Sequence, residues 1–143
     1  MSDLQLTAFE RAAIATILKP SHPVMDALRE QLATCHVTDR EFTGTGFFTG
    51  LHVPAYVSDA PVTRDRLHLG EVAASLTGVE HAGFVLWVAR GRLEMLEGFS
   101  YGEPWPDVVE GWNVTTMTPH RGEGVESDLE QVANSWRRPV ASR

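Results

Sequence analysis

Cysteine, lysine and long apolar runs are scarce in this sequence of 143 residues. Cys35 is the only cysteine, which excludes an intramolecular disulfide and a zinc site built from several thiolates, and which fits a reducing compartment. The longest apolar run, residues 82–89, is far shorter than the roughly 20 residues that span a bilayer. The first residues also lack the basic and apolar regions of a signal peptide. We therefore expect a cytoplasmic protein that makes no membrane contact.

Positive charge is also scarce, since the formal net charge is -7 and Lys19 is the only lysine. Proteins that bind nucleic acid without regard to sequence need clustered Lys and Arg, so we expect no direct nucleic-acid binding. Between Leu93 and His120 there is no basic side chain at all, whereas that segment carries several acids: Glu94, Glu97, Glu103, Asp107 and Glu110. Such a block favours a basic protein partner, although the same acids would also serve solubility alone.

Length and an apolar content of 43% predict a single globular domain over residues 1–143. Thr7 and Glu10 form a Thr-x-x-Glu capping box, which predicts a first helix from about residue 8 to 18. Ser21 is placed to cap a second helix, with Pro23 in its first turn. The apolar stripe of that helix recurs at helical spacing: Val24, Met25, Leu28 and Leu32.

The middle of the chain has the composition of β-strands. Residues 35–54 predict one long bent strand or two strands joined at 44–46, and residues 67–76 predict another. After a turn at 77–83, two strands flank Gly91 as a hairpin, and residues 112–117 form a last strand. Ser127 and Glu130 form a second capping box, which predicts a short helix that ends near Trp136.

Consecutive strands without intervening helices must pair mostly in antiparallel fashion, because parallel neighbours need a long crossover. We therefore predict an α+β fold, in which two N-terminal helices pack on a twisted, mostly antiparallel sheet of about five strands and a short C-terminal helix follows.

Residues 98–102 read Gly-Phe-Ser-Tyr-Gly and match the Gly-x-Ser-x-Gly pattern of a hydrolase nucleophile elbow. An elbow needs a helix directly after the serine, and Pro104 and Pro106 disfavour one because each restricts the residue before it. We therefore predict a turn at Ser100 and no catalytic residue.

Other candidate catalytic or metal sites are weaker. Glu94 and Glu97 are separated by an odd number of residues, so a regular strand would place them on opposite faces unless a bulge intervenes. His52, His68 and His81 with Glu71 do not match a metal-binding motif, so we expect no metal and no cofactor.

The segments LEGFSYGEPWP, DREFTGTGFFT and HPVMDALREQL, taken together, resemble a group of small uncharacterised bacterial proteins. The resemblance covers roughly residues 6–112 and implies a bacterial cytosolic protein, but no activity, cofactor or catalytic residue. In size and acidity the chain is also similar to the immunity proteins of bacterial toxins, which is an analogy of class alone.

Aromatic residues accompany the acids of the base-free segment. Tyr101 and Trp105 either fold back as a lid over one end of the sheet or form a binding rim. The leading hypothesis is a non-enzymatic interaction module, an acidic, inhibitor-like or immunity-like partner of a basic protein that docks through residues 97–112. Its candidate binding residues are Glu97, Tyr101, Glu103, Trp105, Asp107 and Trp112.

Two alternatives belong to other classes of protein. One is a small-molecule-binding protein or small hydrolase with a cleft between sheet and helices that uses Glu97, Ser100 or His81. The other is a homodimer formed through an apolar sheet edge.

Overall fold

The computed structural model describes residues 5–70 and 72–116. These residues form two helices and a seven-stranded sheet, so the α+β class is confirmed. The elements are α1 (Ala8–Ile17), α2 (Pro23–Thr34), β1 (His36–Phe42), β2 (Gly46–His52), β3 (Arg66–Leu69), β4 (Val72–Leu76), β5 (Val79–Ala89), β6 (Arg92–Ser100) and β7 (Asn113–Thr116). The predicted C-terminal helix near Ser127 and Trp136 lies outside the described residues. Neither described helix is long and apolar enough to cross a membrane.

Helix α1 begins at the predicted capping box. The Thr7 hydroxyl accepts a hydrogen bond from the Glu10 amide at 3.1 Å, and the Thr7 amide donates to Glu10 Oε1 at 2.9 Å. These bonds satisfy amide groups that the first helical turn leaves without partners. The apolar side of the helix is buried and consists of Phe9, Ala13, Ile14 and Ile17.

Helix α2 has the predicted apolar stripe but a different cap. Ser21 does not cap the helix; His22 does, because its Nδ1 accepts a hydrogen bond from the Val24 amide at 3.1 Å. His22 has the extended backbone of a capping residue, and Pro23 occupies the first turn, where its missing N–H costs no hydrogen bond. The buried stripe is Val24, Met25, Leu28 and Leu32, as predicted.

All strand pairs are antiparallel, in the order β1-β2-β6-β5-β4-β7, and β3 also pairs with β5. The prediction of about five strands was too low. Residues 35–54 form two strands, which is one of the two arrangements predicted for that stretch. The stretch predicted as a single strand at 67–76 is divided into β3 and β4. Both parts pair with β5, which is long enough at 11 residues to hold one partner after the other.

Two tight turns depend on left-handed backbone. The predicted hairpin turns at Arg90 and Gly91, whose φ angles are 52° and 79°, and this pair of positive angles is typical of a two-residue type I′ turn. The expected turn at 77–83 is shorter than predicted, because Gly78, with φ of 94°, reverses the chain and β5 already begins at Val79.

In the described chain, both helices pack on one face of the sheet, which we call the helix face. It carries Phe84, Leu86 and Leu96 among other buried side chains, and the Phe9 ring of α1 lies 5.5 Å from the Phe84 ring. The opposite face, which we call the outer face, carries the alternate residues of the same strands. Its large apolar side chains are only partly buried: Phe48, Val85, Trp87, Met95 and Phe99.

Gln31 ties α2 to the β5–β6 hairpin. This fully buried side chain donates from Nε2 to the carbonyl oxygens of Gly91, at 2.8 Å, and Ser58, at 3.0 Å. Its Oε1 accepts a hydrogen bond from the Leu93 amide at 2.9 Å. Because every polar atom of the amide group has a partner, Gln31 can occupy the core without an unsatisfied polar group.

Candidate functional site

A cleft of about 520 Å³ opens on the helix face of the sheet, between the start of α1, the strands β1 and β2, and the segment 105–112. Five aromatic side chains line it: Phe9, Phe42, Phe47, Trp105 and Trp112. Its charged residues are Glu10, Arg40 and Asp107. The cleft thus brings together side chains from four separate stretches of the sequence.

The aromatic walls have a buried part and an exposed part. Trp105 is 8% exposed and packs on Phe47, with 5.3 Å between ring centroids. At the mouth, Phe42 is 63% exposed and Trp112 is 37% exposed. The edge of Trp112 is held against Phe9 at 5.5 Å. A molecule that entered the cleft would therefore meet a rigid aromatic floor and cover apolar rings that are now in water.

Backbone hydrogen bonds place Trp105 in the cleft. The Ser100 amide donates to the Thr45 carbonyl and the Trp105 amide donates to the Gly44 carbonyl, each at 2.8 Å. Between them, Gly102 has φ of 117°, a conformation that suits glycine. The chain therefore turns around the end of the sheet and crosses from the outer face to the helix face.

The polar wall of the cleft is an ion pair between α1 and β1. The Glu10 carboxylate, only 4% exposed, accepts from Arg40 Nε at 2.8 Å and from Arg40 Nη2 at 2.7 Å. It also accepts from the Thr49 hydroxyl at 2.7 Å and from the Thr7 amide at 2.9 Å. This two-pronged contact is the geometry in which Arg and a carboxylate bind most strongly.

Both members of the pair stay charged at neutral pH. Burial raises the pKa of the Glu10 carboxyl, but the hydrogen bonds from Arg40, Thr7 and Thr49 lower it by more, so the net pKa lies below its ordinary value. The hydrogen bond to Glu10 raises the pKa of Arg40, against a smaller opposing effect of burial. Glu10 is therefore an ionised carboxylate whose lone pairs are occupied, not a group ready to transfer a proton.

Two hydrogen-bond donors in the lining have no partner among the described residues. Arg40 uses Nε for Glu10 and Nη2 for Glu10 and the Gln5 carbonyl, which leaves its Nη1 without a partner. The indole Nε1 of Trp105 is buried and has no partner either. Buried donors normally find partners, so the indole nitrogen of Trp105 distinguishes the cleft from an ordinary gap in packing, whereas Arg40 Nη1 belongs to a side chain that is 21% exposed.

The turn around the sheet end divides the predicted binding residues into two groups. Trp105, Asp107 and Trp112 line the cleft. Tyr101, which is 70% exposed, lies on the outer face with its ring against Phe99 at 5.6 Å. The other two predicted residues, Glu97 and Glu103, are also away from the cleft. Trp105 therefore folds back onto the helix face at the end of the sheet and packs on Phe47, whereas Tyr101 stays on the outer face.

Both distant carboxylates accept hydrogen bonds within the fold. Glu97 accepts one from Trp87 Nε1, and Glu103 accepts one from the Glu80 amide, each at 3.3 Å.

Ser100 closes the predicted turn. Its hydroxyl donates to the Glu103 carbonyl at 2.5 Å, and no helix follows it in residues 101–112. The residues proposed for a hydrolytic or ligand cleft, namely Glu97, Ser100 and His81, do not line this cleft. Among the described residues, no group of three or more His, Cys, Asp or Glu side chains is arranged to hold a metal ion.

A bulge in β6 overturns the expectation that Glu94 and Glu97 leave opposite faces. Trp87 pairs with Met95 and the next residue, Val88, pairs with Leu93, so Glu94 is an extra residue in its strand. The Glu94 carboxylate lies at the outer face, where it binds Arg66 at 2.7 Å. Glu97 is on the same face but bonds to Trp87 instead, so the two carboxylates have separate partners.

The cleft has the volume and the lining of a small-molecule site. Such sites are typically clefts of about 300–1,000 Å³ with mostly apolar walls and a few oriented polar groups. No protein-family model matches this chain, and neither a curated protein nor a solved structure matches it. What this geometry can do chemically is hold a ring between aromatic walls and donate hydrogen bonds to it from one side.

Proposed function

We propose that this protein is a non-enzymatic binding protein that holds a small molecule in the cleft between α1, the sheet and the segment 105–112. The observation that carries the proposal is an aromatic floor of Phe47 and Trp105 beside an oriented ion pair of Glu10 and Arg40. Apolar rings are exposed at the mouth of the cleft, and covering apolar surface favours binding by about 25 cal/mol per Å² before the costs of association.

The absence of a nucleophile next to a base, among the described residues of the lining, supports a binding role over catalysis. The polar side chains there are Thr7, Glu10, Arg40 and Asp107. The Thr7 hydroxyl accepts a hydrogen bond from the Glu10 amide, and several hydrogen-bond donors keep the Glu10 carboxyl ionised. A general base near neutral pH would instead need a raised carboxyl pKa and a free lone pair.

The test uses toluene as an apolar probe, with binding followed by NMR through the indole N–H signals of Trp105 and Trp112. Phe42→Ala removes a ring at the mouth of the cleft and should weaken toluene binding by roughly fivefold, because contact residues of this size contribute on the order of 1 kcal/mol. Tyr56→Ala is the matched control, since Tyr56 is 82% exposed and does not line the cleft. Equal binding by the two variants, or no shift of either indole signal, contradicts the proposal.

The interaction module remains a second candidate, and the position of Tyr101 favours it. The ring is exposed on the outer face, where the half-buried Phe99 adjoins it, and the acids Glu97 and Glu103 are close in sequence. Exposed Tyr with surrounding acids suits a basic protein partner. Under this proposal the docking surface is the outer part of the 97–112 segment, without Trp105.

The two candidates are separated by replacing Tyr101 with Ser and isolating basic proteins that copurify with the folded chain. Trp105→Ala is unsuitable because that ring is buried. If the Tyr101→Ser variant retains the same basic partners as Tyr56→Ser, the interaction module is refuted. A light-scattering series at increasing concentration tests the homodimer hypothesis in the same preparation.

A further inference from the structure

The unpartnered nitrogen of Arg40 gives the cleft a directional donor. A guanidinium group has five N–H donors. One on Nε and two on Nη2 are used for Glu10 and the Gln5 carbonyl, and the two on Nη1 have no partner among the described residues. The Arg40 side chain is 21% exposed and lines the cleft. A molecule in the cleft would therefore lie beside a guanidinium that has two N–H donors not used within the described chain.

This donor is fixed in orientation before any ligand arrives. Glu10 accepts two hydrogen bonds from one edge of the guanidinium, through Nε and Nη2, and the carboxylate is itself held by Thr49 and Thr7. Rotation of Arg40 would break both bonds to a nearly buried carboxylate, which is costly. Because the side chain is already ordered, a ligand gains the hydrogen bond with little loss of side-chain freedom.

The charges of the lining disfavour an anion as the acceptor. The formal charges of Glu10 and Arg40 cancel, and Asp107 leaves the lining with one net negative charge. A carboxylate or phosphate would approach Arg40 against that charge and beside the Glu10 carboxylate. An uncharged acceptor, such as a carbonyl oxygen, meets the two N–H groups of Arg40 Nη1 without this repulsion. The N-terminal end of α1, with Thr7 and Ala8 in the lining, adds a partial positive charge that also suits an acceptor.

The walls indicate the rest of the ligand. Phe9, Phe47 and Trp105 present ring surfaces, and aromatic pairs prefer tilted or offset arrangements that a flat ring can enter. We propose that the cleft selects uncharged aromatic compounds that carry a carbonyl oxygen, and that this oxygen accepts hydrogen bonds from Arg40 Nη1. This inference rests on the proposed role of the cleft as a small-molecule site.

The experiment compares three probes that share one ring: toluene, benzamide and benzoate. Each is titrated at neutral pH while the indole signals of Trp105 and Trp112 are followed. Benzamide should bind at least about tenfold more tightly than toluene, because its carbonyl oxygen bonds to a charged donor. Benzoate should bind more weakly than benzamide. Asp107→Asn removes the net negative charge of the lining and should therefore reduce the difference in affinity between the two probes.

Arg40→Lys tests the donor itself. Lysine keeps the positive charge beside Glu10 but lacks the guanidinium fork, so the preference for benzamide over toluene should be lost. Arg66→Lys is the matched control, because Arg66 also pairs with a carboxylate but lies on the outer face. Circular dichroism establishes that both variants are folded, and the comparison of probes on the unmodified protein needs no variant.

The outcomes separate the two levels of the proposal. If toluene and benzamide bind equally, or benzoate binds best, the selectivity for uncharged carbonyl compounds is wrong while the cleft remains a binding site. If none of the probes shifts either indole signal, the cleft is not a small-molecule site and both proposals fall. A tenfold preference for benzamide that is lost in Arg40→Lys and kept in Arg66→Lys supports both.

Discussion

Replacing Glu10 with Gln should destabilise the protein, although the two side chains have nearly the same volume. The carboxylate accepts four hydrogen bonds, two of them from Arg40. In Gln one oxygen becomes an NH₂ group, which is a donor that would face other donors. Removing one member of a buried ion pair costs about 3–5 kcal/mol, and the partial exposure of Arg40 reduces that figure. We expect a loss of about 2–4 kcal/mol in the free energy of unfolding.

Urea denaturation followed by circular dichroism measures this loss, and a double-mutant cycle assigns it. Arg40→Met removes the other partner, and the combined variant should lose less than the sum of the single losses, by about 1–3 kcal/mol. A loss below about 0.5 kcal/mol in Glu10→Gln, or strict additivity with Arg40→Met, would refute the conclusion that the pair is an oriented, buried contact.

The effect of Glu10→Gln should also depend on pH in one direction. The pKa of Glu10 is lower in the folded protein than in the unfolded chain, so its stabilisation is complete above the ordinary carboxyl value of about 4.3. The stabilisation is lost as the pH falls through the lower, folded pKa. The difference between wild type and Glu10→Gln should therefore narrow at acid pH. A difference that stays constant from neutral to acid pH contradicts this assignment.

Two further substitutions and one labelling experiment test the surrounding fold. Gln31→Leu should lower the free energy of unfolding, measured by urea denaturation, by about 2–4 kcal/mol, because it leaves the buried Leu93 amide without an acceptor. A loss near zero would refute the conclusion that Gln31 ties α2 to the β5–β6 hairpin. Gly98→Ala should cost about 1–3 kcal/mol in the same assay, since a Cβ at that position would collide with the Phe47 ring under the cleft. Burial raises the pKa of the Cys35 thiol, against a smaller effect of Arg11, so iodoacetamide should modify it far more slowly in the folded protein than in urea.

Local signals in the sequence predicted the two N-terminal helices and the Gly91 hairpin well. The Thr7 and Glu10 capping box, the stripe of α2 and the Gly91 hairpin depend on residues close to one another in the chain. The number of strands was underestimated because nothing local shows that β3 and β4 separate and then pair with the same long strand. Pairing of that kind is decided by contacts between distant residues.

Most of the cleft escaped sequence analysis for a related reason, since only three of its lining residues were predicted as binding residues: Trp105, Asp107 and Trp112. The sequence explains Glu10 fully as part of a helix cap, so nothing in it indicates the ion pair with Arg40. Arg40 lies in another element, β1. Alternation along β1 would also place Val37 and Arg40 on opposite faces. A bulge after Val37 brings both to the helix face, just as a bulge at Glu94 reverses the expected geometry of β6. Single extra residues of this sort leave no clear mark in a sequence.

Glu10 caps helix α1 and also orients the Arg40 guanidinium, so a change that affects one of these roles also affects the other. A substitution at Thr7 that loosened the first turn of α1 would release one of the bonds that hold the carboxylate, and Arg40 would lose its alignment. In related chains, the residue types at positions 7, 10, 40 and 49 should therefore change together. Where a related chain lacks arginine at position 40, we expect glutamate at position 10 only if it still forms the capping box of α1.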